Sequence, residues 1–289
     1  MQMLELLIFP KRAERKPWEL FFIGLLYSSI SFLLVKFFFA HDVVLSKSSG
    51  LLIVMFASLF SIIFVFYALK LDEKDNIKDK TDKKAIKDDW KIALMFVYLF
   101  LGFVIGFAFW QIIFPSQAAF NSQMQTYCVI NKPLQYTNCL DELKLNQTLQ
   151  GIQHNPSINF LTIFSNNVLV AVSTLIFSLL FGAGVIFVIA WNASIIAAVI
   201  ALTAQYSLIN LPFGATKFLL HGIPEMIAYF FVAMAGGMAS LALSSFFKNK
   251  LSKEKLFTII RRSLLLVIIG IIVLAVAGLI EVYISGFLF

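Results

Sequence analysis

The chain has 289 residues, of which 60% are hydrophobic and only 13% charged, with a formal net charge of +7 and two cysteines. A soluble domain carries roughly 25% charged residues, so this composition excludes an ordinary water-soluble enzyme and points to a chain immersed in lipid. The basic residues do not form a stripe interleaved with aromatics, so the positive charge does not indicate nucleic acid as a partner.

The first residues, MLELLIFPKRAERKPW, carry several charges and a proline ahead of the first apolar run, and no small-residue cleavage site follows that run. This pattern does not match a cleavable signal peptide. The basic cluster Lys11, Arg12, Arg15 and Lys16 either anchors a short interfacial turn over Met3–Phe9 or belongs to a frayed tail. Apolar runs then follow near Trp18–Phe39, Leu51–Leu71, Ile92–Phe114, Leu161–Ala190, Ser194–Ile209, Phe218–Phe247 and Leu264–Ser285. A bilayer takes about 20 residues per helix. The runs are continuous rather than alternating, which excludes strands. The expected class is all-α, a polytopic membrane bundle of about seven helices, with six or eight as alternatives. The fourth run is too long for one span, so its first turn is expected at the interface. The fifth is short enough for a half-helix. Residues 1–89 form an N-terminal basic segment with two spans and a charged loop, and residues 90–289 form the main membrane domain.

Orientation follows from Lys and Arg rather than from net charge. The N-terminal cluster, Lys70–Lys91 and Lys248–Arg262 are rich in basic residues, whereas Pro115–Asn159 holds only Lys132 and Lys144. Seven spans then place the N-terminus in the cytoplasm, the C-terminus outside and the segment 115–160 as an outer loop of a cell-membrane protein. That loop contains both cysteines, Cys128 and Cys139, in CVINKPLQYTNC. Outside the cytoplasm two such thiols pair readily. Closing this short loop contributes roughly 3 kcal/mol in the chain-entropy account; the alternative is two free thiols. Asn146 opens the sequon NQT, a weak indication of the same side.

Small residues mark helix contacts. Gly102 and Gly106 stand four apart in LGFVIG, and AMAGGMAS lines Ala233–Ser240. Both suit close helix packing within the chain, with a homodimer face as the alternative.

The polar residues inside apolar runs are the candidate site. His221, Gly222, Pro224 and Glu225 form HGIPE at the start of the sixth span, with Pro224 expected in the helix's first turn, where its missing N–H matters little. His221 and Glu225, four apart, share one helix face. Asn166 and Asn167 open the fourth span and Glu281 closes the seventh, so the expected topology brings all of them to one depth at the outer end. Ionisable groups there face the bundle or a water-filled cavity. His41, Asp42 and His154 are also expected outside.

The segments NNVLVAVSTLIF, FGAG, AWNASI with Asn192, HGIPEMIA and the late Glu281 resemble the SpoIIM family, stage II sporulation protein M, also called DUF95, over about Trp90–Ser285. Ala193 stands where family members often carry Gly. The first two spans, with FPKRAERKPWELFFIGLLY, look like the extension of archaeal relatives. The resemblance implies a membrane anchor or scaffold. The sporulation member belongs to a complex with peptidoglycan-degrading partners and is not itself the hydrolase. Three function classes follow. In a scaffold, the outer loop docks protein partners, or a second copy, and the polar cluster fixes helix register. In a transporter or channel, the cluster ends a pathway, and the FGAG break with Gly182 and Gly184 suits a discontinuous helix. In an intramembrane enzyme, His221, Glu225 and Glu281 hold a metal or supply acid–base groups. That ligand set is sparse and no nucleophile stands beside it. The scaffold reading therefore leads, with membrane lipid as surroundings and no cofactor.

Overall fold

Hydrocarbon offers no water to the backbone, so an apolar chain satisfies its N–H and C=O groups along helices. The computed structural model describes residues 16–39, 42, 45–62, 82–114, 120–131, 156–181, 185–206, 211–249 and 251–285, and no strand occurs among them. The helices are α1 (Glu19–Phe38), α2 (Leu45–Ile62, opening in a 3-10 turn over Leu45–Ser48), α3 (Asp82–Ile113) and α4 (Asn121–Asn131). They continue with α5 (Pro156–Phe181), α6 (Val185–Tyr206), α7 (Leu211–Phe247) and α8 (Lys253–Leu279), which a π-helical turn, Ile280–Ser285, extends. Six of these carry a segment long and apolar enough to cross a membrane, and α6 adds a shorter apolar stretch, Ile186–Ala201. The protein is an all-α polytopic bundle.

Several expected boundaries are corrected. The run Leu161–Ala190 is divided between α5, which ends at Phe181, and α6, which begins at Val185. The last part of that run, from Val185 to Ala190, therefore belongs to α6. Hydropathy passes over such a junction because Gly182, Ala183 and Gly184 are not polar. The short fifth run is the latter part of a 22-residue helix. α3 starts in the charged segment at Asp82. α8 starts at Lys253, eleven residues before its apolar run, with Ser252 as N-cap accepting from the Lys255 N–H and Glu254 in the first turn. Lys248–Arg262 is therefore mostly helix. The turn before it holds Asn249 at φ 55°, a left-handed position that Asn tolerates at a helix end. α7 starts at Leu211, so Pro224 lies inside the helix and not in its first turn. Within the expected outer loop, α4 is a short helix. His41, Cys139, Asn146 and His154 lie outside the described residues.

Glycines set the closest approach. A Cβ on Gly102 of α3 would stand 2.9 Å from the Leu25 backbone nitrogen and 3.0 Å from the Gly24 Cα of α1, and Gly106 faces Ser28. The backbones of α1 and α3 therefore touch, as the Gly102–Gly106 spacing predicts. Above that crossing Phe32 of α1 stacks on Trp110, Phe114 and Phe120, and Phe107 meets Phe120 edge to face. Phe39 and Tyr27 of α1 pack on Phe56 and Phe60 of α2. α7 is the central helix, packed on α8, α5 and α6, and its Ala228–Ala235 stretch is buried throughout. A Cβ on Gly236 would meet Ser178 Cβ at 2.8 Å and the Leu175 carbonyl at 2.9 Å, and the Ser178 hydroxyl donates to the Ala233 carbonyl at 2.6 Å. α5 turns Leu161, Leu169, Val172, Ile176 and Phe177 outward, the side that lipid covers.

Candidate functional site: a carboxylate, amide and phenol cluster

Asn167 on α5 and Glu225 and Tyr229 on α7 come together because Gly236 and Ser178 hold these two helices in contact further along. The Asn167 Nδ2 donates to Glu225 Oε1 at 2.5 Å, and the Tyr229 hydroxyl donates to Asn167 Oδ1 at 3.1 Å. Residues 225 and 229 are four apart and present one face of α7, so one buried amide reaches both. Asn167 and Tyr229 are buried and Glu225 is half-buried. The amide orientation follows from these bonds: only the nitrogen can serve a carboxylate and only the oxygen can accept from the phenol.

Glu281, half-buried in the π-helical turn after α8, lies within electrostatic reach of Glu225 and Tyr229. It also acts on Tyr127 of α4. Burial first, and then the Glu281 charge, push the Tyr127 hydroxyl from its ordinary 10 up to about 12, so that it remains a neutral donor across the physiological range. Glu281 is thus a common neighbour of α4 and α7. Its turn is π-helical, a form that recurs at functional sites.

The remaining expected residues divide. Asn166 stays half-buried, about 100° around α5 from Asn167. Asn192 donates back to the Val188 carbonyl on its own helix at 2.8 Å. Gly222 is buried against α6, where an added Cβ would stand 3.2 Å from Ile196 Cδ1. His221 lies on the backbone of α7, but its side chain falls outside the described residues. Cys128 is fully buried on α4. Asp42 accepts from the Leu45 N–H at 2.8 Å and so caps the first turn of α2. No group of three His, Cys, Asp or Glu that could hold a metal occurs among the described residues.

Two contributors, Tyr229 and Tyr127, were absent from the sequence reading. Tyr229 carried a signal, since it follows Glu225 by one helical turn. Tyr127 carried none, because the interaction with Glu281 joins residues far apart in the chain.

A multi-pass helical bundle in which a carboxylate, an amide and a phenol join two helices is the class that this fold and cluster define. The family stage II sporulation protein M matches residues 93–286. The chain belongs to that family, whose match begins on α3 and takes in Asn167, Glu225, Tyr229 and Glu281. No curated protein and no solved structure matches the chain significantly.

Proposed function

We propose that the protein is a membrane scaffold or anchor that docks partner proteins in membrane remodelling, with residues 115–160 as the docking platform on the outer side. In this reading the N-terminus is cytoplasmic and the C-terminus outside, and a Cys128–Cys139 disulfide ties the platform to α4. Membrane lipid covers the outward apolar faces. One observation carries the reading: Asn167 engages Glu225 and Tyr229 at once, joining α5 to α7. A buried network satisfied by neighbouring helices rigidifies an arrangement and specifies its register, which is what a platform for partners requires.

The test is site-specific photocrosslinking from Gln125, an exposed position on α4. A discrete protein adduct in native membranes, lost when residues 132–155 are deleted, supports the scaffold. Adducts with lipid alone overturn it. The second reading, a transporter or channel, is favoured by Pro224, which leaves the Leu220 carbonyl without its helical donor one turn before Glu225. Solute-dependent flux in proteoliposomes that Glu225→Gln abolishes would favour transport over the scaffold.

A further inference from the structure

The apolar segment of α8 and the turn that extends it runs over Lys253–Tyr283, 31 residues. At 1.5 Å per residue that is about 46 Å, against a hydrocarbon core of about 30 Å. The excess, roughly ten residues, lies at the basic end, because Glu281 is the only charged residue from Ser263 to Ser285. Arg261 and Arg262 therefore stand where hydrocarbon gives way to lipid headgroups.

Lys248–Arg262 holds six basic residues and one acidic one. Orientation in the membrane requires only that excess; α8 gives it a geometry besides. Arg261 is exposed, and on its face of the helix it lies between Phe257, one turn before, and Leu265, one turn after. Phe257 is 76% exposed and Leu265 50%. The same face continues through Ile268, Ile272 and Leu279, all exposed, the side that acyl chains cover. Lys253 precedes Phe257 by a further turn. Glu254 is in the first turn of α8, where the positive end of the helix dipole favours it, two turns from Arg261. Among the described residues Lys248, Lys253, Lys255 and Arg261 pair with no carboxylate. A guanidinium without a counter-charge is thus bracketed by apolar side chains at headgroup depth. A free phosphate ion would meet the guanidinium and leave Phe257 in water. A phospholipid meets both, since its phosphate accepts two hydrogen bonds from an arginine fork while its glycerol and acyl groups cover the apolar neighbours.

We propose that the first three turns of α8 bind an anionic phospholipid, with Arg261 as the phosphate ligand, Lys253 as the supporting charge and Phe257 as the apolar anchor. The site lies apart from residues 115–160 and does not rest on the scaffold reading, since its test reads lipid selectivity and not partner capture.

Full-length protein in neutral detergent is titrated with phosphatidylglycerol, and separately with phosphatidylcholine, and the first lipid adduct is followed by native mass spectrometry. A preference for phosphatidylglycerol is expected. Arg261→Gln should reduce that preference about fivefold, the scale on which one basic residue acts at an anionic lipid surface. Phe257→Ala should weaken both lipids and keep their ratio. Lys47→Gln, which removes an equal charge from an exposed position at the start of α2, should leave the preference unchanged. Arg261 has no partner to strand, so its variant should melt with the parent in lipid-free detergent. Equal binding of the two lipids overturns the proposal. So does a preference that survives Arg261→Gln, or one that Lys47→Gln lowers as much. Displacement of phosphatidylglycerol by an equal concentration of inorganic phosphate also overturns it, because the ligand would then be the free anion.

Discussion

Asn167 uses both ends of its amide, donating to Glu225 and accepting from Tyr229. Asn167→Leu should therefore strand a carboxylate oxygen and a phenol together, and destabilise the protein by about 1–3 kcal/mol, read by unfolding in mixed micelles. Glu225→Gln keeps the shape and one acceptor, so it should cost less than Glu225→Leu, which removes the partner of Asn167 altogether. Tyr127 gives a pH signature. Its hydroxyl is raised from 10 to about 12 in the folded protein, so between these values the folded state holds a proton that the unfolded state has lost. The contribution is complete below pH 10 and is lost as pH rises toward 12. Melting temperature should fall over that window, and Tyr127→Phe should remove part of the fall. An identical slope in both proteins would contradict the burial of this hydroxyl beside Glu281.

At the scale of the helix, two glycines predict opposite outcomes from one substitution. Gly102→Ala drives a methyl group into the Phe21 carbonyl of α1, with the Leu25 nitrogen at 2.9 Å, a backbone that cannot yield without moving the whole helix, and should cost about 1–3 kcal/mol. Gly222→Ala meets only the flexible end of Ile196 at 3.2 Å and should remain within about 1 kcal/mol; thermal unfolding of the two variants side by side checks the contrast. The glycine pair of α3 was legible in the sequence because its four-residue spacing is the period of one helix face. Helix boundaries were not. Backbone hydrogen bonding continues through Asp82–Lys91 and Lys253–Arg262 although hydropathy falls there, and the helix runs on through Pro224 although that residue supplies no N–H. The site was legible in part for the same reason. Glu225, Glu281 and Asn167 are conspicuous in apolar runs, whereas Tyr229 reads as one more aromatic among 32 phenylalanines and 8 tyrosines. The choice between the adjacent Asn166 and Asn167 depends on the rotation of α5, and a run apolar on every side does not fix that rotation.

At the scale of the molecule, α7 is the axis on which α5, α6 and α8 pack, and Glu281 relates that core to α4. The proposed orientation predicts that a cysteine introduced at Gln125 reacts with an impermeant maleimide in intact cells. Reaction only after permeabilisation would reverse the topology. The proposed disulfide predicts a Cys128–Cys139 cross-linked peptide in non-reduced protein by mass spectrometry, and alkylation of both thiols without reduction would exclude it. The central claim is that a carboxylate and an amide lock α5 to α7 inside the bundle. A double-mutant cycle tests it most directly, with unfolding free energies measured in micelles for the parent, Asn167→Leu, Glu225→Leu and the pair. The lock predicts a coupling of about 1–3 kcal/mol, with the double variant more stable than the sum of the single losses implies. Additive losses, with no coupling between positions 167 and 225, would contradict it.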